Sequence, residues 1–311
     1  MSSKRATMRI REKAVGISEP SASGVRAELR ATVRLRGGIP VLAERYHSAP
    51  LKIAKSFMMR EEAGTRLGII QMDVSPGLLD GDEYEFDWTA EEGSSVYVTN
   101  QAYTRVHPAR EKGATVRQRL RLERDAVLEW MPEPVMPFRG ARYCVCTDIE
   151  LMPGSVCVIA DLLCPGRVVR GEAFDFDLYD SKLSVRYNQE LVHYQRQRFE
   201  PARLRIESPG CFGSYTHLAT LSVFSDRVDA SAVTRIEELL EPEKTKAGLI
   251  DEKIVWHVAL TARYGIVVTI AGMKTWQLQR LVIKAWDAVR LVFLGSPPTR
   301  LLRESWMRDD C

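Results

Sequence analysis

The clearest pattern in the chain is a strict alternation near its start. Val25, Ala27, Leu29, Ala31, Val33 and Leu35 interleave with Arg26, Glu28, Arg30, Thr32, Arg34 and Arg36. A period of two places every apolar side chain on one face of an extended strand. The same period returns in Tyr84-Phe86-Trp88 and in Leu183-Val185-Tyr187. It also appears in Val116-Gln118-Leu120-Leu122, with Arg117, Arg119 and Arg121 between. Turn pairs punctuate these runs: Pro76-Gly77, Asp80-Gly81, Glu92-Gly93, Pro153-Gly154, Pro165-Gly166 and Pro209-Gly210. Short strands with frequent turns predict a mainly β protein, its strands stacked as a β-helix-like coil or a sandwich. No fixed period of about 20–50 residues is visible, so a repeat in the sequence itself is not supported.

After Ser225 the period changes. Asp229 is placed to cap a helix near 229–241 in which Val233, Ile236 and Leu240 share one face, with Val228 set to staple against Val233 and Pro242 as its end. Strand-like runs follow at Ile254–Leu260 and Ile266–Ile270. A second helix is predicted near 275–294: Leu278, Leu281, Val282, Ala285, Trp286, Val289 and Phe293 recur at helical spacing, opposite Gln277, Arg280, Lys284 and Asp287. Pro297-Pro298 stops it. The expected organisation is one β-rich domain over 25–294 with two α-helices in its C-terminal part. A disordered tail over 1–24 precedes it, and a loose tail over 295–311 follows.

Composition narrows the function. Of 311 residues, 45% are apolar and 27% charged, the mix of a soluble globular protein. A formal net charge of +3 is too small to argue for a nucleic-acid or membrane partner. The first residues carry Lys4, Arg5, Arg9 and Arg11 but no apolar signal-peptide core, and no run reaches the roughly 18 apolar residues of a membrane span. The expected compartment is the cytoplasm, with Cys144, Cys146, Cys157, Cys164, Cys211 and Cys311 reduced.

Familiar catalytic chemistry is missing. His47, His107, His193, His217 and His257 are scattered, and none forms an H-x-x-x-H or H-E-x-x-H pair. There is no C-x-x-C, G-x-S-x-G, Walker loop or G-x-G-x-x-G. Cys144 and Cys146 share one side of a strand and read as structural thiols rather than a soft metal site. No catalytic residue and no tight metal site are expected. The acidic pairs Glu129/Glu133 and Asp175/Asp177 would need a cleft to act on a glycoside.

Four uncommon segments remain. They are Ser75-Pro76-Gly77-Leu78-Leu79-Asp80-Gly81-Asp82, Val98–Val106 with its Thr99-Asn100-Gln101, Leu128–Phe138 beginning Leu-Glu129-Trp130-Met-Pro132, and Asp161–Phe174 containing Gly166-Arg167 and Gly171-Glu172. The three prolines of the third segment predict an edge strand or a crossover. In order and spacing these segments resemble the urease accessory proteins of the UreD family, called UreH in some bacteria. The resemblance runs roughly from Tyr46 to Pro298. Leu78 replaces a glycine common in the family, and Arg105 supplies the basic residue after the Thr-x-Gln segment.

The resemblance implies a protein that is not an enzyme. It implies binding to the urease apoprotein, with a helical UreF-like partner and a UreG-like GTPase, and help in delivering nickel to a buried active site. It also implies a stack of β-strands with two helices and a polar internal passage. Nickel is then cargo in transit and no cofactor is held; a homodimer within the complex is left open. Asp82, Thr99, Gln101, Asp161 and Glu172 are the transit candidates within the matching segments. Gly77, Gly81, Arg105, Glu129, Trp130, Pro132, Gly166, Arg167 and Gly171 are the motif positions. Rival readings are a carbohydrate-acting β-helix enzyme and a protein-binding scaffold without a metal role.

Overall fold

The alternating segment at the start forms strand β1 (Arg26–Arg36), which turns into the antiparallel β2 (Ile39–His47). The computed structural model describes residues 24–61, 64–249 and 253–296. The tails expected over 1–24 and 295–311 lie outside the described residues, apart from Gly24, Gly295 and Ser296. A second hairpin follows, β3 (Leu51–Glu61) with β4 (Gly64–Asp73).

The chain then winds in coils. The first holds β5 (Glu83–Ala90), β6 (Ser95–Asn100) and β7 (Thr104–Val106). The second holds β8 (Ala114–Leu122), β9 (Val127–Trp130) and β10 (Val135–Pro137). The third holds β11 (Arg142–Leu151), β12 (Val156–Leu163) and a 3-10 turn at Val168–Arg170. Successive coils stack their strands in parallel, the winding of a β-solenoid. A hairpin of β13 (Leu178–Tyr187) and β14 (Glu190–Phe199) ends the first sheet, whose order is β14-β13-β11-β8-β5-β1-β2. β15 (His217–Phe224), helix α1 (Ala230–Leu249), β16 (Ile254–Leu260), β17 (Gly265–Gly272) and helix α2 (Thr275–Phe293) complete the fold. The second sheet runs β16-β17-β15-β12-β9-β6-β4-β3, and β7 and β10 pair beside it as a short third face.

Burial explains both sequence patterns. Between the sheets lie Leu29, Tyr84, Trp88 and Leu120 from the first and Val96, Leu128, Trp130 and Ile159 from the second. The first sheet turns its other face to water, hence the alternating arginines and acids. The middle of the second sheet is covered on both faces, its far side by Leu278, Leu281, Val282, Trp286 and Val289 of α2. Its β12 accordingly reads as a nearly continuous apolar run.

The structure bears on three sequence expectations. The backbone does repeat, but the coils are unequal: Glu83 pairs with Thr115, whereas Ala114 pairs with Tyr143. Loops of different length hide the coil from a search for a fixed period. Of the edge strand and the crossover expected of Leu128–Phe138, the crossover is what forms: β9 sits centrally between β6 and β12, and the chain then passes to β10 off that sheet's path. Pro132 and Pro134 fall after the strand, where the chain turns the corner and no ladder N–H is lost. Pro242 does not end α1, which continues to Leu249. Leu240 and Glu243, on either side of the proline, are buried, and α1 packs against α2 and β16. That packing outweighs the one hydrogen bond a proline removes. Asp229 does cap the helix, accepting the Ala232 N–H at 2.9 Å.

Candidate functional site

In β12, Val156, Val158, Ala160 and Leu162 face the helices, while Cys157, Ile159 and Leu163 face the space between the sheets. Asp161 falls on the inward phase and puts a carboxylate among these apolar neighbours. The Tyr179 hydroxyl donates to its Oδ2 at 3.1 Å and the Ser181 hydroxyl at 3.4 Å. Enclosure by protein pushes the Asp161 carboxyl above the usual carboxylate range, and the two hydroxyls offset part of the rise. Its remaining accessible surface borders a cavity of about 80 Å³ whose polar wall includes Gln118, Thr147, Ser181, Thr220 and Ser222. Thr147 Oγ1 donates to Gln118 Oε1 at 2.8 Å.

A second cavity of about 70 Å³ lies toward the N-terminal coils. Thr104, Gln118, Trp130, Pro132 and Tyr143 border both, so the two are successive compartments along the solenoid. Gln71, Asp73, Tyr84 and Asn100 supply polar wall in the second. Gln71 Oε1 is buried and accepts no hydrogen bond among the described residues. A polar space of this size accommodates water, which satisfies such an atom.

The five transit candidates separate. Asp161 is on the cavity wall; Asp82, Thr99, Gln101 and Glu172 border neither cavity. Asp82 is buried and accepts the N–H groups of Val25 and Leu79, each at 2.8 Å, so it fixes a turn. Thr99 is buried on the phase of β6 opposite Val98, and Gln101 is exposed. Glu172 grips Arg167 through two hydrogen bonds, Nε to Oε2 at 2.7 Å and a second guanidinium nitrogen to Oε1 at 2.5 Å. That bond to Arg167 holds the Glu172 carboxyl below its ordinary range. Sequence reasoning missed Thr147, Ser181, Thr220 and Ser222. The available signal was a polar residue on the apolar phase of a strand, as with Gln118.

Glu129 and Trp130 point to opposite cores. Trp130 lies between the sheets, edge-on to Phe86 and Trp88 at 6.1 and 6.3 Å. Glu129 is sealed beneath α2, where Trp286 Nε1 donates to it at 2.7 Å and Arg66 donates to its other oxygen. Arg66 also reaches Glu61 at 2.6 Å, and Glu61 accepts from Arg290 at 2.5 Å. Burial, with the nearby Arg290 charge, lowers the Arg66 pKa to about 9. Glu129 and Glu133 therefore share no cleft: Glu133 borders the Asp161 cavity and accepts from Gln279 at 2.9 Å.

The remaining motif positions build the third face. Gly77 has φ 132°, and a Cβ there would meet the Arg105 carbonyl oxygen at 2.6 Å. Leu78 takes no positive φ; its N–H bonds the Arg105 carbonyl at 2.8 Å and its side chain enters the core. Gly81 N–H bonds the Gly113 carbonyl at 2.9 Å. Gly166 is pressed against the Glu172 carbonyl as Gly77 is against Arg105, and Gly171 is the left-handed cap of the 3-10 turn. Cys144 and Cys146 face outward on the first sheet, and burial raises both thiols. Among the described residues, no group of three or more His, Cys, Asp or Glu side chains is arranged to hold a metal ion, and no helix is long and apolar enough to cross a membrane.

The sequence pattern of the UreD urease accessory protein family matches residues 25–304. The chain belongs to that family. A urease accessory protein UreD of Acetivibrio thermocellus is 26% identical over 259 residues, covering 83% of this chain and 95% of that protein. A urease accessory protein UreH of Helicobacter hepaticus is 27% identical over 202 residues, covering 65% and 79%. The UreD 2 protein of Brucella ovis is 26% identical over 277 residues, covering 88% and 89%. The four segments that resemble UreD in sequence thus lie in a chain that matches the family almost throughout.

Proposed function

We propose that the protein is a cytoplasmic, non-enzymatic urease maturation factor. It binds the urease apoprotein with UreF-like and UreG-like partners and passes nickel through its polar interior. The observation that carries this reading is the Asp161 compartment, a carboxylate met by hydroxyls and an amide in an otherwise apolar wall, which adjoins a second compartment carrying Gln71, Asp73, Tyr84 and Asn100. A conduit has to accept an ion and let it go, so binding at each station must be weak. Oxygen ligands hold a first-row divalent ion less firmly than thiolate or imidazole sets, and the wall offers oxygen. Asp161 supplies the charge, and Ser181, Thr147 and Thr220 supply neutral donors along the way. Asp82 and Glu172 serve this role indirectly, by holding the turns that shape the third face.

The test is nickel loading of urease apoprotein with its accessory partners present. Asp161→Asn is expected to assemble normally and to lower the yield of active urease severalfold. Full activation by Asp161→Asn would overturn the passage through this compartment. Failure of the unaltered chain to bind apoprotein or partners would overturn the maturation reading itself.

A further inference from the structure

Four strands end the two long sheets, β2 and β14 in the first and β3 and β16 in the second. An end strand leaves one row of backbone N–H and C=O groups open, a template for another strand. Three of the four carry features that block such pairing. β2 holds Pro40, Glu44 and Arg45, β14 holds Glu190, Arg196 and Arg198, and β3 holds Lys52, Lys55 and Arg60. The pairing of each of these three with its neighbour also shifts register once, and such a bulge twists an edge away.

β16 has none of these features. Its residues, Ile-Val-Trp-His-Val-Ala-Leu, include no charge, proline or glycine, and they pair with β17 from Ile254–Gly272 to Leu260–Ile266 without a shift. The Thr261 N–H bonds the Gly265 carbonyl at 2.8 Å, so residues in phase with Thr261 spend their backbone groups on β17. Ile254, Val258 and Leu260 stand on the other phase and direct theirs to the open edge, where no described residue pairs with them. Ile254 and Val258 are buried on the face that α1 covers. Leu260 shares that face and is nevertheless 47% exposed.

We propose that β16 pairs with β16 of a second copy of this chain, antiparallel about a two-fold axis through His257. No other antiparallel register pairs the strand along its whole length. Ile254 of each copy then lies opposite Leu260 of the other and covers the exposed leucine, and Val255 lies opposite Ala259. The two His257 residues face each other on the axis as a non-hydrogen-bonded pair, because their backbone groups already bond β17. Exposed Lys253, just before the strand, meets neutral Thr261, whereas a parallel pairing would set it against its own copy. An edge without charge has little with which to select a foreign strand, but in this register its own sequence matches it throughout. The contact is isologous, so it closes at two copies. It does not depend on the maturation reading.

Sedimentation of the full chain at increasing micromolar concentrations tests the proposal, and a monomer–dimer equilibrium is expected. His257→Glu sets two carboxylates against each other on the axis and should weaken self-association about tenfold or more. His257 is exposed, so the melting temperature of dilute protein should not change. Under mild oxidation, His257→Cys should cross-link two copies, since the Cα atoms of such a pair stand about 4.5 Å apart, within disulfide reach. Val255→Cys, which lies four residues along the ladder from its own counterpart, should cross-link no more than the unaltered chain with its exposed Cys211. An unaltered chain that stays monomeric throughout overturns the proposal. So does a dimer that His257→Glu leaves at full strength, or one that Val255→Cys links as readily as His257→Cys. None of these outcomes bears on the maturation reading, which nickel loading decides.

Discussion

Trp286 and Glu129 stand 157 positions apart, and the indole Nε1 of the first donates a 2.7 Å hydrogen bond to the buried carboxylate of the second. The contact joins α2 to the central strand β9, and Tyr97 stacks on the same indole at 5.2 Å. It is part of a sealed set of two carboxylates and two guanidiniums, Glu61, Glu129, Arg66 and Arg290. Such a set is costly to desolvate and adds less net stability than its contacts imply, but it is costly to break. It fixes which way α2 lies.

Removing Glu129 leaves Arg66 and Arg290 short of their countercharge in a dry site. Glu129→Ala is expected to lose about 3–5 kcal/mol, read as a lower midpoint in urea unfolding. A midpoint equal to wild type would show that the arginines find water or other acceptors.

Trp286 contributes packing as well as its N–H. Trp286→Ala is expected to cost about 3–5 kcal/mol, the range for a large aromatic removed from a core. Trp286→Phe keeps most of the ring and loses the bond to a charged acceptor, so about 1.5–3 kcal/mol is expected. Equal losses in the two variants would assign the whole effect to the hydrogen bond.

Asp161 gives a pH signature. Its folded pKa is raised by burial, so the folded state holds that proton more tightly than the unfolded chain does. The stability this provides is full below the ordinary carboxylate pKa and is lost as pH rises through the raised one. Asp161→Asn should therefore be more stable than wild type at pH 7, and the advantage should vanish in acid. Thermal melts at several pH values read it, and an advantage independent of pH would show that Asp161 is not held above its ordinary pKa.

His217 acts in the opposite sense. It is buried at the head of β15, and desolvation lowers its pKa from 6.5 to about 4. Its neutral form is the folded one, so stability is full above 6.5 and falls as pH drops toward 4. The gap corresponds to about 3 kcal/mol at the acid end. His217→Gln should flatten the acid limb of the stability profile, and a profile of unchanged shape would place the loss elsewhere.

Glu172 braces the turn at Val168–Arg170 through its two bonds to Arg167, whose guanidinium lies 4.2 Å from the centre of the Phe138 ring. Glu172→Gln should release Arg167 from Phe138 and speed amide hydrogen exchange across Val168–Glu172, while the unfolding midpoint changes little. Because Arg167 depresses the Glu172 pKa, the brace is complete above the ordinary carboxylate range and fades as pH falls through the lowered value. Unaltered exchange in that turn would assign its rigidity to Gly166 and the backbone bonds alone.

The sequence by itself determined the local facts. Alternation in Val25–Arg36 and Tyr84–Trp88 specified strands with one wet face, because side-chain direction along a strand follows from the pleat. The spacing of Leu278, Leu281, Trp286 and Val289 specified α2 and the face it buries. Only the tertiary structure decided what met what. Unequal coils bring Leu78, Val106, Pro137 and Arg167 onto one face, and no local pattern reports which loop length places one segment above another. The same holds for Asp161: its inward phase was written in β12, but the Tyr179 and Ser181 hydroxyls that meet it come from the opposite sheet. Glu172, which looked equally suited to a wet passage, met Arg167 first. Local conformation follows from the residues at hand, whereas a carboxylate's role follows from the groups that packing sets beside it, and packing is a property of the whole chain.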